Sequence, residues 1–585
     1  MTVEKLITDH IDIWSSALQT RSTAGRGSNG KIDLYGIKKL RELILELAVR
    51  GKLVPQDPND EPASELLKRI AAEKAELVKQ GKIKKQKPLP EISEDEKPFE
   101  LPVGWEWVTL ATIGEIVGGG TPTSDNPQYW STEGIKWLTP ADLNGFKGKY
   151  ISSGARDITA AGLASSSAKL MPKGTVLFSS RAPIGYVAIS NAELSTNQGF
   201  KSCVPYIKES AEYIYYFLLS AAKKIDEMAS GTTFKEVSGA IVSKVLLPLP
   251  PLNEQLKIVE VTDDLMVLCD QLEQQSLTGL NAHQQLVETL LATLNNSQNA
   301  EELAENWARI SQHFDTLFTT EASIDALKQT VLQLAVMGKL VPQDPNDEPA
   351  SELLKRIEEE KAQLVKEGKI KKQKPLPPIS DEEKPFELPI GWEWVRLGSL
   401  CEFITSGSRG WNQFYSDDGA IFIRSQDIKF DRLEFDNRAY VKLPLNTEGT
   451  RTHVEFGDLL MTITGGNVAK VAIVDLDLED AYVSQHVALI RLVYKTINSY
   501  IHAWLICEHG GRKHLLDISY GAKPGLNLKN INDLLIPFAP QKQQENILMR
   551  VNELMSLCDN LNMVLQSAQQ TQLHLADALT DAALN

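Results

Sequence analysis

The sequence predicts a mixed α/β protein in which two globular α/β domains are joined by long antiparallel coiled-coil helices, with a pseudo-two-fold, circular organisation. Three observations support this: an internal repeat, helical spacing of apolar residues beside it, and short β-branched runs between its copies. At 585 residues the chain is too long for one hydrophobic core, because single cores stop growing near roughly 250 to 300 residues. We therefore expect several compact units.

The internal repeat organises the chain. The segment GKLVPQDPNDEPASELLKRI occurs at 51–70 and again, without a difference, at 338–357. Extended to residues 44–110 and 331–397, the two copies agree at 55 of 67 positions. Self-similarity on this scale indicates a duplicated structural frame. Gly51 and Gly338 follow predicted helices and supply their stops.

A weaker pair of segments predicts two long helices. LPLPPLNEQLKIVEVTDDLMVLCDQL, around Pro251, resembles IPFAPQKQQENILMRVNELMSLCDNL, around Pro540. After each proline the apolar residues recur at intervals of three and four, which is the spacing of an amphipathic or coiled-coil helix. These residues are Ile258, Val261, Leu265, Leu268 and Leu272, and then Ile547, Val551, Leu554, Cys558, Leu561 and Leu565.

The repeats divide the chain into five parts. They are an N-terminal helical arm (1–104), a first variable domain (105–250), a central helical spacer (251–391), a second variable domain (392–537) and a C-terminal helix (538–585). The spacer looks like the C-terminal helix followed by the N-terminal arm. Joining the chain ends would therefore make two similar units in a ring, and we expect the ends to meet.

The distribution of charge leaves nucleic-acid binding open. A net charge of -16 argues at first against phosphate binding. Residues 105–250, however, carry 13 basic and 12 acidic side chains, and residues 394–537 carry 15 and 17. The acidity lies in the helical parts, so both variable domains are free to present a basic face.

Cysteine and apolar content predict a cytoplasmic location. The five cysteines form no C-x-x-C pair, which indicates free thiols in a reducing compartment. No stretch approaches the ~18 uncharged apolar residues of a membrane span, so no membrane partner is expected.

Each variable domain contains strand and hairpin patterns. Both open with GWEWV, and its aromatic residues predict core packing rather than base stacking: Trp105, Trp107, Trp392 and Trp394. Further along, GTVLFSSRAPIGYVAIS and GDLLMTITGGNVAKVAIV predict β-hairpins. A polar tetrad follows each hairpin, at 196–199 and 483–486.

The order of these motifs resembles the target-recognition domain and the following conserved region of type I restriction-modification specificity subunits. In the first half the series is GWEWVTLATIGEIVGGGTPTS, KGTVLFSSRAPIGYVAI, LSTNQGFKS, SGTTFKEV and LPLPPLNEQ. The second half repeats the plan with GDLLMTITGGNVAKVAIV, AYVSQHVALIR, YGAKPGLNL and PFAPQKQQ. The resemblance covers nearly the whole chain, and its specificity lies in the ordered series.

This resemblance implies a subunit that binds double-stranded DNA, with each variable domain reading one half of a bipartite site. The helices would dock two methyltransferase subunits and two endonuclease/translocase subunits. S-adenosylmethionine, ATP and Mg would belong to those partners, with no cofactor in this chain. A helix of about 25 to 30 residues would hold the two domains roughly 40 Å apart, near one turn of B-DNA.

Base recognition predicts Arg, Lys, Asn and Gln on loops, because these side chains make bidentate hydrogen bonds with base edges. Candidates in the first domain are Thr121, Thr123, Arg181, Asn197, Gln198, Thr232, Thr233 and Lys235. Candidates in the second are Arg409, Asn412, Asn467, Gln485, His486, Lys523 and Asn527. A solvated or turn-forming role fits each residue equally well, so the prediction concerns the cluster.

The repeated acidic block predicts two equivalent docking sites for partner subunits. The candidates are Asp57, Asp60, Glu61 and Glu65, and then Asp344, Asp347, Glu348 and Glu352. A purely structural linker is the alternative. The block lacks the glycine at the sixth position of an EF-hand loop, so no metal site is predicted.

The sequence predicts no catalytic centre. Every Gly-Lys pair is followed by Ile, Leu or Tyr, whereas a phosphate loop requires Ser or Thr. NPQY at 126–129 differs from the N-P-P-[FY] tetrad of amino-methyltransferases, and no cofactor loop precedes it. We therefore predict a non-catalytic subunit. An acidic coiled-coil scaffold that binds only proteins is the alternative, although it would not need two dissimilar inserts in near-identical frames.

Overall fold

The structure is a computed structural model that describes residues 3–21, 31–85, 90–181, 183–230, 235–444, 450–521 and 524–584. Helices and strands occur in both halves, which confirms the mixed α/β class. The chain forms two compact units. Unit 1 comprises Met1–Gln19, Ile32–Leu277 and Gln569–Asn585, and unit 2 comprises Thr20–Lys31 and Thr278–Ala568.

The N-terminal half contains nine helices and thirteen strands among its described residues. The helices are α1 (Val3–Thr8), α2 (Ile11–Ser16), α3 (Tyr35–Val49), α4 (Ala63–Lys79), α5 (Leu110–Ile113), α6 (Ala160–Ala164), α7 (Ala211–Glu227), α8 (Gly239–Ser243) and α9 (Leu252–Asn296). The strands are β1 (Gln19–Arg21), β2 (Lys31–Asp33), β3 (Glu106–Thr109), β4 (Gly114–Gly118), β5 (Trp130–Ser131), β6 (Ile135–Leu138), β7 (Tyr150–Ile151), β8 (Arg156–Ile158), β9 (Val176–Phe178), β10 (Val187–Ser190), β11 (Leu194–Thr196), β12 (Lys201–Pro205) and β13 (Leu246–Leu249).

The C-terminal half follows a similar order. Its helices are α10 (Ala300–Gln312), α11 (Phe314–Leu317), α12 (Glu321–Val336), α13 (Ala350–Lys366), α14 (Leu397–Leu400), α15 (Asn498–Ile506), α16 (Gly511–Asp517), α17 (Leu528–Asn532) and α18 (Gln541–Leu584). Its strands are β14 (Glu393–Arg396), β15 (Cys401–Ser406), β16 (Tyr415–Ser416), β17 (Ala420–Ile423), β18 (Tyr440–Val441), β19 (Leu459–Thr462), β20 (Val471–Ile473), β21 (Ala481–Val483), β22 (Val487–Leu492) and β23 (Leu535–Phe538). Short 3-10 turns connect several of these elements.

Each variable domain is closed by one antiparallel strand pair. In unit 1, β3 pairs with β13, and in unit 2, β14 pairs with β23. Between these pairs, unit 1 has the sheets β4-β12-β9-β10-β7 and β11-β6-β8-β5. Unit 2 has the sheets β15-β22-β19-β20 and β16-β18-β17-β21.

The predicted hairpins are confirmed. Strands β9 and β10 are antiparallel neighbours, as are β19 and β20. Both domains share one parallel pair, β6 with β11 and β17 with β21, and the first domain has a second, β7 with β10. Because the carboxyl ends of parallel strands meet at the same sheet edge, the polar tetrads after β11 and β21 emerge beside the loops after β6 and β17.

The aromatic residues of GWEWV are confirmed as core residues in both copies. Trp105 and Trp392 are buried. Trp107 and Trp394 are half-buried and pack edge-on against Phe99 and Phe386.

The predicted helix stops are also confirmed. Helix α3 ends at Val49 and α12 ends at Val336, and Gly51 and Gly338 then have φ values of 67° and 69°. Glycine is favoured there because side chains rarely adopt the left-handed conformation. A Cβ atom at Gly51 would also lie 2.5 Å from Pro102 Cγ.

The two long helices exceed their predicted length. Helix α9 has 45 residues and α18 has 44, against the expected span of about 25 to 30. The prediction counted only the first apolar segment of each helix. Later in α9, Val287, Leu291 and Leu294 enter the core of unit 2. Late in α18, Ala576 enters the core of unit 1. Pairing of these helices as an antiparallel coiled coil stays a prediction.

The ends of the chain meet in unit 1, as the circular organisation requires. Tyr35 Oη donates a hydrogen bond to Asp577 Oδ1 at 2.7 Å, and Lys52 Nζ donates to the Leu584 carbonyl at 2.5 Å. Ala576 is fully buried in the core that α3 also supplies. The C-terminal segment is therefore an integral part of the unit that contains the N-terminal arm.

Two further features concern the chain as a whole. All five cysteines are free and buried, and burial raises the pKa of the Cys203 thiol to about 12. In the part of the chain that the structure describes, no helix combines the length and apolar content needed to cross a membrane.

Closing of unit 1 by the C-terminal helix can be tested with one substitution. Ala576→Glu would place a charge in a fully buried position, so we expect a loss of more than about 2 kcal/mol in the free energy of unfolding. Ala578→Glu is the control, because Ala578 is exposed on the same helix; we expect a change within about 0.5 kcal/mol. Equal effects in chemical denaturation would contradict the closure.

Candidate nucleic-acid interface

Five segments of the first variable domain meet where β6 and β11 end. We call them the first loop cluster: residues 119–123, 139–144, 179–181, 197–201 and 235–237.

Backbone hydrogen bonds hold the first loop cluster together. Gly120 N–H donates to the Thr196 carbonyl at 2.9 Å, and Ser180 N–H donates to the Gly199 carbonyl at 2.7 Å. Val237 N–H donates in turn to the Ser180 carbonyl at 2.8 Å. The segments are thus fixed by main-chain contacts, which leaves their side chains free to vary.

The glycine run of GGGTPTS has a steric reason. A Cβ atom at Gly119 would lie 2.0 Å from the Asn197 carbonyl oxygen, and one at Gly120 would lie 2.4 Å from Ala168 N. The loop after β4 therefore packs directly against the polar tetrad after β11. This close approach brings Thr121 Oγ1 to Gln198 Oε1, to which it donates a hydrogen bond.

Three segments of the first loop cluster, 139–144, 179–181 and 197–201, line a cleft of about 490 Å³. Its lining residues are Thr139, Pro140, Ala141, Asn144, Arg181, Pro183, Tyr186, Asn197 and Gly199. Two of the predicted contact residues, Arg181 and Asn197, are among them. Asn144 and Tyr186 were not among the sequence candidates, since Asn144 lies outside the quoted motifs and Tyr186 lies in a segment that predicts a hairpin strand.

An ion-paired group lies beside this cleft. Arg181 Nε is 2.9 Å from Glu236 Oε2, and Lys201 Nζ is 3.4 Å from Glu236 Oε1. Lys201 also donates to the Gln198 carbonyl at 3.2 Å. Lys201 and Glu236 were not among the sequence candidates, although they lie inside two of the quoted motifs, LSTNQGFKS and SGTTFKEV.

The remaining candidates of the first domain have varied surroundings. Thr123 is exposed, and its carbonyl accepts from Trp130 Nε1 at 3.3 Å. Asn197 Oδ1 accepts from Gly199 N–H at 2.9 Å, which is a turn-forming role. Lys235 is exposed and lies 3.9 Å from an Asp226 oxygen. Thr232 and Thr233 lie outside the described residues.

The second variable domain forms a corresponding second loop cluster from residues 407–411, 424–427, 463–469, 484–486 and 524–527. Ile463 N–H donates to the His486 carbonyl at 2.9 Å, and Leu526 N–H donates to the Ile463 carbonyl at 2.9 Å. An isolated antiparallel bridge joins Thr464 to Gly525, as another joins Arg181 to Glu236 in the first cluster.

A chain of polar side chains occupies the second loop cluster. Gln485 Nε2 lies 3.1 Å from His486 Nε2, and His486 Nδ1 lies 2.6 Å from Thr464 Oγ1. An amide nitrogen can only donate, so His486 Nε2 accepts and Nδ1 carries the proton. Over the described residues, the Gln485 carbonyl oxygen and its second N–H have no hydrogen-bond partner, so both can contact a ligand.

The other candidates of the second domain are placed as follows. Arg409 is exposed and Asn467 is half-buried. Asn527 Oδ1 accepts from Asn530 N–H at 2.8 Å and caps α17. The side chain of Asn412 and the whole of Lys523 lie outside the described residues.

Basic residues that the sequence analysis missed concentrate beside the second hairpin. Arg512 Nη1 donates to the Ala469 carbonyl at 2.7 Å, and its guanidinium stacks over Phe430. Burial lowers the pKa of Lys470, and the nearby charges of Arg512 and Lys429 lower it further. This local positive charge is what a phosphate contact requires, even in an acidic chain.

The repeated acidic block makes contacts inside each unit. In the first copy, Asp60 accepts from Asn253 Nδ2 at 3.0 Å and lies 3.7 Å from Lys257 Nζ, both at the start of α9. In the second copy, Asp347 accepts from Gln543 Nε2 at 2.9 Å, at the start of α18. Asp60 and Asp347 therefore each anchor the start of a long helix. This is the role expected if the acidic block is a purely structural linker.

The other six residues of the block have local partners. Asp57 and Asp344 accept from backbone N–H groups two residues ahead, and Glu61, Glu65, Glu348 and Glu352 form ion pairs with Arg69, Lys68, Arg356 and Lys355. Exposed pairs of this kind contribute little stability. Partner docking by the block stays a prediction. Over the described ranges, no group of three or more His, Cys, Asp or Glu residues is arranged to hold a metal ion.

Asn527 offers a test that separates structural from contact residues. Because its side chain caps α17, Asn527→Ala should cost about 1 kcal/mol in the free energy of unfolding. Asn527→Asp retains a capping oxygen and should stay near the parent stability. Unchanged stability in Asn527→Ala, measured by chemical denaturation, would show that the cap is unimportant.

Comparison with known proteins gives matches over the whole chain. The family described as "Type I restriction modification DNA specificity domain" matches residues 102–282. The chain is 50% identical over 605 residues to the type I restriction enzyme EcoAI specificity subunit of Escherichia coli, covering 100% of both proteins. It is also 50% identical over 613 residues to the EcoEI specificity subunit of Escherichia coli, again covering 100% of both.

A solved structure also aligns with this chain. A chain from a study of complex assembly and conformational transition of the type I R-M system aligns with a TM-score of 0.46 at 18% sequence identity. The alignment covers 83% of this chain and 99% of that chain.

Proposed function

The chain belongs to the specificity subunits of type I restriction-modification enzymes, which are non-catalytic, and on that premise we propose that its two variable domains read the two halves of a bipartite DNA site. One observation carries the proposal. The two loop clusters share a backbone arrangement but differ in their side chains, with Arg181 and Glu236 at one bridge and Thr464 and Gly525 at the other. Two surfaces with the same backbone arrangement and different side chains suit the reading of two different base sequences.

The chemistry of both clusters supports contact with duplex DNA. Arg, Asn and Gln side chains on loops are the donors and acceptors that match base edges in the major groove. The positive charge around Lys470 and Arg512 suits the flanking phosphates, since phosphate contacts position a protein and base contacts specify the sequence.

The helical parts would serve the rest of the complex. We propose that they dock two methyltransferase subunits and two endonuclease/translocase subunits in a cytoplasmic assembly, and that those partners bind S-adenosylmethionine, ATP and Mg. The two copies of the acidic block support this stoichiometry, because identical exposed residues suit two copies of one partner. Asp57, Glu61 and their counterparts Asp344 and Glu348 are the exposed members.

Exchange of one variable domain tests the proposal. If residues 105–250 are replaced by those of a relative and the chain is assembled with its methyltransferase subunits, selection of bound DNA from random duplexes should change one half-site only. Replacement of residues 392–537 is the matched experiment and should change the other half-site. A joint change of both half-sites would contradict two independent readers, and a protein-only scaffold would retain no consensus.

The spacing between half-sites should follow the length of the long helices. Insertion of about one helical turn after Leu277 in α9, with a matching turn after Ala568 in α18, should widen the unread gap by about one to two base pairs. The same insertion after Gly368, in an exposed turn, is the control and should leave the gap unchanged. An unchanged gap in the helix variant would exclude the ruler role.

A further inference from the structure

We propose that Arg181 reads a guanine in the half-site of the first variable domain, and that Glu236 and Lys201 are positioning residues that hold it for this contact. The inference rests on the proposed DNA-reading function and deepens it. It names one base, one side chain and the two groups that orient it.

The geometry of Arg181 suits a bidentate contact. Its Nε forms an ion pair with Glu236 Oε2 at 2.9 Å, while Nη1 and Nη2 have no hydrogen-bond partner among the residues with described positions. The side chain lines the cleft of the first loop cluster and is 43% exposed. A guanidinium fixed at one nitrogen still presents a planar pair of donors, which matches the O6 and N7 acceptors of guanine.

Glu236 is itself held firmly in place. Its backbone exchanges two hydrogen bonds with Ser230, at 3.0 and 3.2 Å, and forms the antiparallel bridge to Arg181. A carboxylate beside DNA would repel phosphates if it were left uncompensated. Lys201 Nζ, on a side chain only 16% exposed, lies 3.4 Å from the second Glu236 oxygen. The three groups together carry one net positive charge.

The second domain lacks this group at the same backbone positions. The bridge that joins Arg181 to Glu236 corresponds to the bridge between Thr464 and Gly525. Lys201 pairs with Gly118 of β4, and the matching position on β22 is Ala488, which pairs with Ser406 of β15. The shared backbone does not need the ionic group to fold, so a role in fold maintenance alone does not explain it.

Selection of bound DNA from random duplexes tests the assignment, with the full chain assembled with its methyltransferase subunits. The wild type should give a bipartite consensus that contains a guanine in the first domain's half-site. Arg181→Ala should lose the preference at that one base pair and bind the parent site about 5- to 150-fold more weakly. Arg181→Lys keeps the positive charge but cannot donate two parallel hydrogen bonds to one base. It should therefore retain affinity for phosphates and lose the preference at the same base pair.

The positioning role has its own readout. Glu236→Ala should relax the preference at the base pair affected by Arg181→Ala, and the double variant should add little, because both changes remove one contact. Glu236→Asp, which keeps the carboxylate, should restore part of the preference. Lys235→Ala is the matched control. Loss of this exposed neighbouring cation should weaken binding to all sequences equally and leave the preference at that base pair unchanged.

The possible results separate the two levels of the proposal. A wild-type complex that selects no bipartite consensus would overturn the proposed function itself. A bipartite consensus that survives intact in both Arg181 variants would overturn only the guanine assignment. A uniform loss of affinity in Glu236→Ala, with unchanged base preference, would reduce Glu236 to a structural ion pair and overturn its positioning role.

Discussion

The antiparallel strand pair that closes each variable domain is the constraint on which the rest of the structure depends. Through β3 and β13, the chain enters and leaves the first domain side by side, and α9 begins directly afterwards at Leu252. Strands β14 and β23 do the same before α18. Because both connections of a domain leave at one place, the domain can change in sequence and size without moving the frame.

Side chains of the repeated segments also stabilise this strand pairing through contacts with the helical frame. Trp105 Nε1 donates to Glu254 Oε2 at 2.9 Å, which ties the entering strand to the first turn of the long helix. In the other unit Trp392 Nε1 donates to Gln343 Oε1 at 3.0 Å, inside the repeated segment. Asp60 and Asp347 add contacts to the same helix starts. Identity between the copies is therefore expected from internal packing alone for Trp105 and Trp392 and for Asp60 and Asp347.

The two loop clusters can differ in their side chains because the frame and the loop backbone are held by other contacts. Main-chain hydrogen bonds set the loops in both domains, so side chains such as Arg181 and Thr464 can differ at one backbone position without loss of the loop geometry. A frame that is constant and a surface that varies are what a protein needs if it is to read unlike base sequences with one architecture.

Periodic features of the fold could be predicted from the sequence, and contacts between distant polar residues could not. The hairpins, the helix starts after Pro251 and Pro540, and the buried Trp105 followed from local spacing. The full lengths of α9 and α18 were missed because each helix has a second apolar segment that packs in a different core.

The candidate site shows the same limit. Arg181 was predicted from its residue type, but Glu236 and Lys201 were not, since the contact between them joins residues 35 positions apart. Asn527 was grouped with possible contact residues because a helix cap and a base contact use the same side chains. Asp60 and Asp347 were assigned to docking because a sequence cannot show which carboxylates face a neighbouring helix.

The central claim is that one chain carries two separate DNA-reading surfaces on a duplicated frame. Base-resolution interference footprinting of the wild-type complex on its selected duplex tests this most directly. We expect two short tracts of major-groove protection, separated by bases whose modification leaves binding intact. One continuous tract, or protection confined to a single half of the site, would contradict the claim.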